Sequence, residues 1–159
     1  MTIRSAEPED AEAVSAISNA VIRETLVTFT TKCRDPADIA ADITARGDAF
    51  LVAERHDVVV GFATYGPFRS GPGYVHTREH SIQLAPEAQG QGLGRQLISA
   101  LEHTAVRSGV HVLVAGISAV NPAAIRLHTA QGFTEVGRMP QVGHKWGQWL
   151  DLVLMQKTV

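Results

Sequence analysis

A short glycine-rich segment is the part of this sequence whose chemistry is easiest to recognise. Residues 89–95 spell Gln-Gly-Gln-Gly-Leu-Gly-Arg, between a predicted strand and a predicted helix. Glycines allow positive φ values and a close approach of the backbone to a ligand, and a helix N-terminus presents free N–H groups with partial positive charge. We therefore predict an anion site, best suited to phosphate groups, at residues 89–95.

Three ligand-binding patterns compete for this loop. A P-loop ends in Gly-Lys-Ser/Thr, but Gly94 is followed by Arg95 and Gln96. A dinucleotide fingerprint has the spacing G-x-G-x-x-G, and here the third glycine comes one residue early. The pattern Q-x-x-G-x-G, with Gln89, Gly92 and Gly94, fits the segment. A flexible connector is the alternative without a function.

A second motif places two histidines beside a carboxylate. His76-Thr77-Arg78-Glu79-His80 matches H-x-x-E-H, a zinc-protease pattern that works on a helix. Here Gly71-Pro72-Gly73 precedes the motif and a strand pattern follows it. On a strand, the two histidines point to one side and Glu79 to the other, so we expect no metal site.

The elements that must position these residues alternate between strands and helices. They are predicted as a strand at Thr2–Ser5, a helix at Glu9–Arg23, a helix from Asp35-Pro36, a hairpin of Ala49–Glu54 and Val58–Tyr65, a loop at Gly66–Gly73, a strand at Glu79–Leu84, a helix at Leu93–Ser108, a strand at His111–Ile117, a helix from Asn121-Pro122 to Gly132, and strands at Phe133–Arg138 and Trp149–Met155. This order predicts a mixed α/β sheet. Only the crossovers 84 to 111 and 117 to 133 are long enough for parallel neighbours.

Composition excludes several classes of protein. The 159 residues suit one domain, residues 1–159, and are 45% hydrophobic and 19% charged. A formal net charge of −2 offers no general attraction for nucleic acid or anionic membranes. The single cysteine, Cys33, excludes an intrachain disulfide. The N-terminus is polar and acidic, unlike a signal peptide, and both features favour a cytoplasmic location. No apolar run approaches the ~20 residues of a membrane helix.

Two motifs together resemble one enzyme family. Q-x-x-G-x-G between a strand and a helix resembles the acyl-CoA pyrophosphate loop of the GCN5-related N-acetyltransferase (GNAT) family. The segment from Asn121 through His128 to Phe133 is similar to the family's N-x-x-A-x-x-L-[YH]-x-x-x-G-F helix. The resemblance covers the whole chain and implies the GNAT fold, a mixed and mostly antiparallel sheet of about six or seven strands flanked by about four helices.

Narrower matches point to one branch, the phosphinothricin and methionine sulfone/sulfoximine acetyltransferases. They are Glu24-Thr25 with Phe29, His76-Thr77-x-Glu79-His80-Ser81, and Gly143-x-Lys145-x-Gly147-x-Trp149-x-Asp151 to Met155-Gln156. The resemblance implies that the chain moves acetyl from acetyl-CoA, without a metal, to the α-amine of a small amino-acid analogue. It also implies direct attack in a ternary complex and a homodimer.

The resemblance also assigns roles to residues. Glu79 matches the proposed general base, with a surface carboxylate as the alternative, and His128 occupies the position from which many members protonate the leaving thiolate, with a packed or capping histidine as the alternative. Contacts to acetyl-CoA are assigned to Ile82, Gln83, Leu84, Gln89, Gly90, Gln91, Gly92, Leu93, Gly94, Arg95 and Asn121. Contacts to the substrate are assigned to Arg69, Tyr74, Val75, His76, Thr77 and Arg78, of which Arg69, or else Arg78, would grip a carboxylate.

Departures from the branch leave the substrate open. Val75 stands where the branch commonly has arginine, Phe68 where tryptophan is frequent, and His144 where phenylalanine is usual. Lys145, Trp146 and Trp149 suit a pocket or a dimer interface, and core packing is the alternative for the two tryptophans. The alternatives are a GNAT enzyme acting on another small amine, a peptide N-terminus or an aminoglycoside, and a non-catalytic acyl-CoA-binding module.

Overall fold

The central sheet draws strands from both ends of the chain. A computed structural model describes all 159 residues. Its strands and helices are β1 (Thr2–Ser5), α1 (Ala11–Glu24), α2 (Pro36–Arg46), β2 (Phe50–Arg55), β3 (Val58–Pro67), β4 (Thr77–Leu84), α3 (Leu93–Arg107), β5 (Val112–Ser118), α4 (Pro122–Ala130), β6 (Thr134–Lys145) and β7 (Gln148–Thr158). The predicted element order and the mixed α/β class are confirmed.

The seven strands lie in the order β1-β2-β3-β4-β5-β7-β6. Every neighbouring pair is antiparallel except β4 and β5, and the predicted hairpin of β2 and β3 is present. The crossover from residue 84 to 111 does connect parallel neighbours. The crossover from 117 to 133 does not, because β6 forms a hairpin with β7, and β7 occupies the place beside β5.

Polar side chains act at the start of α2 and just before the start of α1. The Asp35 carboxylate accepts a hydrogen bond of 2.8 Å from the backbone N–H of Ala37, which caps α2 as its sequence predicts. The first helix begins later than the prediction of Glu9. Asp10 accepts from the backbone N–H of Glu7 and from Arg4, and these bonds stabilise a separate 3₁₀ turn at Pro8–Asp10 before α1.

The core has two layers, one on each face of the sheet. Alternate residues of β2 show the division, because Leu51 packs in the layer of α3 while Phe50 packs in the layer of α1 and α2. The α3 layer is the larger, with 18 buried residues against 9. None of the helices combines the length and the apolar character needed to cross a bilayer.

The parallel pair β4 and β5 separates partway along its length. Only Thr77–Glu79 pair with Val112–Val114, although β4 continues to Leu84 and β5 to Ser118. Beyond Glu79, the β4 backbone keeps its partner β3 on one side and has no strand partner on the other. A gap therefore opens in the middle of the sheet, bordered by free backbone hydrogen-bonding groups.

A buried lysine holds the segment between α1 and α2 against the end of β6. Lys145 is 1% exposed, and its Nζ donates to the carbonyl oxygens of Ile22 (2.7 Å), Thr25 (2.7 Å) and Thr28 (3.0 Å). Burial lowers the pKa of this ammonium group. The three partners of Lys145 are backbone carbonyl groups, and none is a carboxylate. Lys145 therefore fixes the course of the backbone between α1 and α2.

Replacing Lys145 by Met should lower the free energy of unfolding by about 2 kcal/mol or more, since three carbonyl groups lose their donor. Urea unfolding measures the loss. Lys32→Met, at an exposed lysine, is the matched control and should change stability by less than about 0.5 kcal/mol. Equal stability of the two variants would show that Lys145 does not stabilise the segment between α1 and α2.

Candidate active site

Glu79 lies where the gap between β4 and β5 begins. It is opposite Gly66 of β3 and Val114 of β5. Its Oε2 atom lies 3.5 Å from the position that a Cβ on Gly116 would take. Although solvent reaches the side chain, burial of the carboxyl group raises its pKa. A raised pKa makes Glu79 a better proton acceptor than an ordinary surface glutamate.

The glycine-rich loop has the features of an anion site. Gly90 and Gly92 have φ values of +72° and +78°, and Gly92 directly precedes α3. No side chain caps this helix, and its first turn contains no acidic residue. The N–H groups of the first turn thus have no intrahelical partner and meet no negative charge. The site fits a phosphate group without needing a basic surface.

Close packing and a neighbouring arginine hold this loop in place. A Cβ on Gly94 would come within 3.0 Å of Leu127 Cδ2, so α3 approaches α4 closely there. Gln91 receives a hydrogen bond of 2.7 Å from Arg55 and donates one of 2.8 Å to the Glu87 carbonyl oxygen. Leu93 is buried, whereas Gln89, Gly90, Gln91, Gly92 and Arg95 are exposed.

The gap edge of β4 leads from Glu79 to this loop. Ile82, Gln83 and Leu84 are half-buried on that edge. Asn121 lies at the start of α4, where its side-chain oxygen accepts from the Ala124 N–H at 3.2 Å, which confirms the N-cap function while its amide N–H groups remain available. A chain that carries amide groups, such as the arm of CoA, fits an edge of this kind as a strand would.

His80 and His128 form a buried pair on the opposite face of β4. Their Nε2 atoms are 2.9 Å apart, and the two rings are 5% and 2% exposed. His128 Nδ1 lies 2.7 Å from the Ala124 carbonyl oxygen, which accepts only from an N–H. His128 Nε2 is then the acceptor of the pair, and His80 Nε2 is the donor.

This arrangement keeps both rings neutral. Burial lowers the pKa of His128, and burial together with the neighbouring ring lowers the pKa of His80 to about 3. With its Nε2 protonated, His80 has a bare Nδ1, which is buried and has no partner. Both nitrogens of His128 are engaged inside the protein, so it has no free N–H for a leaving thiolate.

Of the sequence-predicted substrate residues, Thr77 lies on the Glu79 side of β4, two positions before it, and the structure does not bring the others to Glu79. Arg69 is exposed, with its guanidinium 5.6 Å from the centre of the Phe68 ring, and Arg78 alternates with Glu79 and so faces the other side of β4. Tyr74 and Val75 are exposed on the loop before β4. The His76 ring lies 3.0 Å from the Gly109 carbonyl oxygen, and Thr77 pairs with Val112.

The zinc-protease pattern has no metal-site geometry. His76 contacts Gly109 and His80 contacts His128, while Glu79 faces away from both histidines. No group of three or more His, Cys, Asp or Glu side chains is arranged to hold a metal ion.

Two residues beside the site were missed by sequence reasoning. His80 occurs in both the zinc-protease pattern and the branch motif, but its partner lies 48 positions away, so no local signal predicts the pair. Arg46, at the end of α2, places its guanidinium over Gly66, which is the residue opposite Glu79. An arginine in the last turn of an amphipathic helix has the pattern of a solvated residue.

Comparisons with known proteins all lead to acetyltransferases. Residues 15–133 match the model of the acetyltransferase (GNAT) family. The L-methionine sulfoximine/L-methionine sulfone acetyltransferase of Salmonella typhimurium is 45% identical, over 98% of this chain and 93% of its own. The crystal structure of a phosphinothricin acetyltransferase from Sinorhizobium meliloti in complex with acetyl-CoA has a TM-score of 0.93 and 30% identity, over 99% and 88% of the two chains.

A third similar protein carries a different name. The crystal structure of a ribosomal-protein-alanine N-acetyltransferase from Brucella melitensis has a TM-score of 0.95 and 42% identity, over 100% of both chains. All these names describe acetyl transfer, whereas the acceptors they name differ.

The histidine pair should make stability depend on pH. Because the pKa of each ring is lower in the folded chain than its usual 6.5, the unfolded chain binds more protons as pH falls below that value. The free energy of unfolding should therefore decrease between pH 7.5 and pH 5, with a slope of up to about 1.4 kcal/mol per pH unit for each ring.

Urea unfolding at the two pH values tests this. His80→Gln removes one titrating ring while retaining a side-chain donor, so the decrease should be smaller than in the parent chain. His111→Leu, at an exposed ring, should leave the slope unchanged. An equal slope in His80→Gln and the parent would show that His80 is not held neutral.

Proposed function

The chain belongs to the GNAT acetyltransferase family and is an acetyl-CoA-dependent N-acetyltransferase, and we propose that its acceptor is the α-amine of a small amino-acid analogue. Methionine sulfone, methionine sulfoximine and phosphinothricin define the chemical class. The observation that carries this proposal is the position of Glu79, whose carboxyl group has a raised pKa and lies where the gap between β4 and β5 begins.

Acetyl transfer needs an uncharged amine, because an ammonium group has no free lone pair. Glu79 accepts the proton of the ammonium group, directly or through water. The amine nitrogen then attacks the thioester carbonyl and a C–N bond forms. As the C–S bond breaks, the second proton of the nitrogen passes to the departing sulfur, directly or through water, so the products are the N-acetyl amide and the free thiol of CoA. Backbone N–H groups on the gap edge of β4, at residues 82–84, are the candidate donors to the oxyanion that develops on the carbonyl.

The anion loop provides binding energy away from the reacting atoms. The free N–H groups of the first turn of α3 and the backbone of Gly90 and Gly92 are proposed to hold the phosphates of acetyl-CoA, with Asn121 bonding its amide-containing arm. A direct role for His128 in protonating the thiolate stays a prediction. In the arrangement described here, such a role requires the His80–His128 bond to open.

Other features of the proposal follow from the whole chain. One continuous sheet that includes β1 and β7 supports a single domain over residues 1–159. The small net charge of −2 supports small-molecule substrates in place of nucleic acid or membrane lipid, and the free thiol of Cys33 suits the cytoplasm. No metal takes part in the proposed chemistry.

A peptide N-terminus is the second candidate acceptor. The name of the Brucella melitensis protein favours it, because that name specifies a ribosomal-protein alanine. The two acceptors differ in one chemical respect. A free amino acid has a carboxylate on the carbon that bears the amine, whereas a peptide has an uncharged amide there.

We also propose a homodimer that pairs through the β6–β7 hairpin. The hairpin exposes several large apolar side chains, namely Val136 (54%), Met139 (44%), Val142 (51%), Trp146 (50%) and Trp149 (66%). These exposures are incompatible with core packing of the tryptophans in the single chain. An apolar surface of this kind commonly marks a protein–protein interface.

The function is tested by release of free thiol from acetyl-CoA over a panel of amines. We expect turnover with methionine sulfone, methionine sulfoximine or phosphinothricin, and little with an alanine-initiated peptide or an aminoglycoside. Glu79→Gln should reduce kcat/KM by about 10²–10⁴-fold and leave acetyl-CoA binding intact. In the parent enzyme, activity should fall as pH falls through the raised pKa of Glu79, above the range of an ordinary glutamate.

The matched control is Glu87→Gln, an exposed carboxylate before the anion loop, which should keep parent activity. Turnover of peptides but of no amino-acid analogue would replace the proposed substrate class. Unchanged turnover in Glu79→Gln would remove Glu79 as the base, and absence of turnover with every amine would favour the non-catalytic acyl-CoA-binding module.

The dimer is tested by light scattering coupled to size-exclusion chromatography. We expect the parent chain at twice its monomer mass and Trp149→Glu as a monomer, because a buried charge at an apolar interface is costly. Val58→Glu, at a similarly exposed apolar residue on the β2–β3 hairpin, should remain dimeric. A monomeric parent chain would refute this part of the proposal.

A further inference from the structure

A polar cavity lies between the first two helices and the middle of the sheet. Its volume is about 170 Å³, and α1, α2, β2, β3 and β4 all contribute to its lining. The polar lining includes Arg46, Thr64, Ser81 and Gln83. The Oε1 atom of Gln83 is buried and has no hydrogen-bond partner. A lining of this character suits a polar ligand better than an apolar side chain.

This cavity lies on the same face of the sheet as Glu79. In an antiparallel pair, residues directly opposite each other point to one side. Gly66 is opposite Glu79, and Thr64 is opposite Ser81, so alternate residues of β3 and β4 present one continuous surface. Ser81, which lines the cavity, is the next residue of β4 on the Glu79 side.

Arg46 brings a largely uncommitted positive charge to this surface. Its guanidinium stands over Gly66, where a Cβ would come within 3.1 Å of Nη2 and 3.2 Å of Cζ. Its one hydrogen bond goes from Nη1 to the Thr64 hydroxyl, at 3.1 Å, and no carboxylate pairs with it. The other arginine on the cavity, Arg34, is already paired with Asp42 at 2.7 Å.

A half-buried guanidinium with free N–H groups is suited to an anionic partner. Arginine presents its donors as a planar fork, which matches the two oxygens of a carboxylate. The remaining candidates are less well placed. Arg69 is exposed on a loop, Arg78 faces the other side of β4, and Val75 carries no charge.

We propose that Arg46 binds the α-carboxylate of the amino-acid substrate, and this inference rests on the proposed function. Directly opposite residues in an antiparallel pair have Cβ positions about 5 Å apart. A guanidinium above Gly66 and a carboxylate on Glu79 are thus neighbouring groups of opposite charge on one surface, which matches an α-amino acid, whose two charged groups share a carbon. The carboxylate lies toward Arg46 and the amine toward Glu79.

This arrangement explains how one site would distinguish a free amino acid from a peptide. A peptide N-terminus would place an uncharged amide against Arg46 and leave the guanidinium without its ionic partner. A buried polar group left unpaired in this way gives stronger discrimination than a missing apolar contact.

The test compares two substrates in the full-length enzyme. Methionine sulfone and its decarboxylated analogue, 3-(methylsulfonyl)propylamine, share the amine and the sulfone and differ in the carboxylate. Arg46→Gln should lower kcat/KM for methionine sulfone by about 10–100-fold, the size expected for a charge-assisted hydrogen-bonded pair, mostly through KM. For the decarboxylated amine, the change should be less than about 3-fold.

Two further variants complete the comparison. Arg46→Lys keeps the charge without the fork, so it should fall between the parent and Arg46→Gln. Arg107→Gln, an exposed arginine at the far end of α3, is the control and should match the parent with both substrates. Acetyl-CoA affinity and urea unfolding, measured on each variant, verify that the fold and the co-substrate site are intact.

The outcomes separate this inference from the proposed function. If the parent acetylates methionine sulfone and Arg46→Gln loses activity equally with both substrates, Arg46 is structural and the inference is overturned, whereas the function stands. The same holds if Arg69→Gln, and not Arg46→Gln, removes the preference for the carboxylate. If the parent acetylates only amines without a carboxylate, the proposed substrate class fails and the inference fails with it.

Discussion

The parallel pairing of β4 and β5 ends after three residues, and every element of the candidate site is arranged around that interruption. A sheet normally satisfies its backbone groups by pairing each strand on both sides. Here one edge of β4 lies inside the molecule without a strand partner beyond Glu79. The fold tolerates the unpaired edge because β3 holds β4 from the other side and two helical layers enclose the sheet. An extended ligand with amide groups can complete what the sheet leaves open.

The two faces of β4 divide the chemistry. On one face, Glu79, a carboxyl group of raised pKa, shares a surface with Arg46, which lines the polar cavity and has no carboxylate partner. On the other face, burial beside Phe133 lowers the pKa of both His80 and His128 and keeps the hydrogen-bonded pair neutral. The alternation of side chains along a single strand therefore places Glu79, the proposed base, and the buried histidine pair on opposite faces of the sheet.

Local signals in the sequence were sufficient for much of this fold. The glycine-rich loop, the caps at Asp35 and Asn121, and the polar turn between β2 and β3 each depend on residues within a few positions of one another. The insertion of β7 between β5 and β6 had no such signal, because strand order depends on pairings formed far along the chain. The role proposed for Glu79 also comes from a local signal, the motif around it.

Contacts between side chains that are far apart in the sequence also leave no local signal. His80 and His128 are 48 positions apart, and Lys145 reaches carbonyl groups about 120 positions earlier in the chain. Neither pairing leaves a spacing pattern in the sequence. The position of Arg46 is hidden for a related reason. Arg46 belongs to α2, and only the folded chain places it over Gly66 of β3, the residue opposite Glu79.

The contact between Gly66 and Arg46 has a consequence for how the sequence can evolve. The volume that a side chain would fill at this position is occupied by the guanidinium of Arg46, whose long flexible stem would move before the backbone did. A substitution at position 66 would therefore be tolerated by the fold while altering the molecule's choice of acceptor. Positions 46 and 66 are expected to be epistatic, so that each constrains which residues the other can accept, and a shift toward uncharged acceptors would involve both.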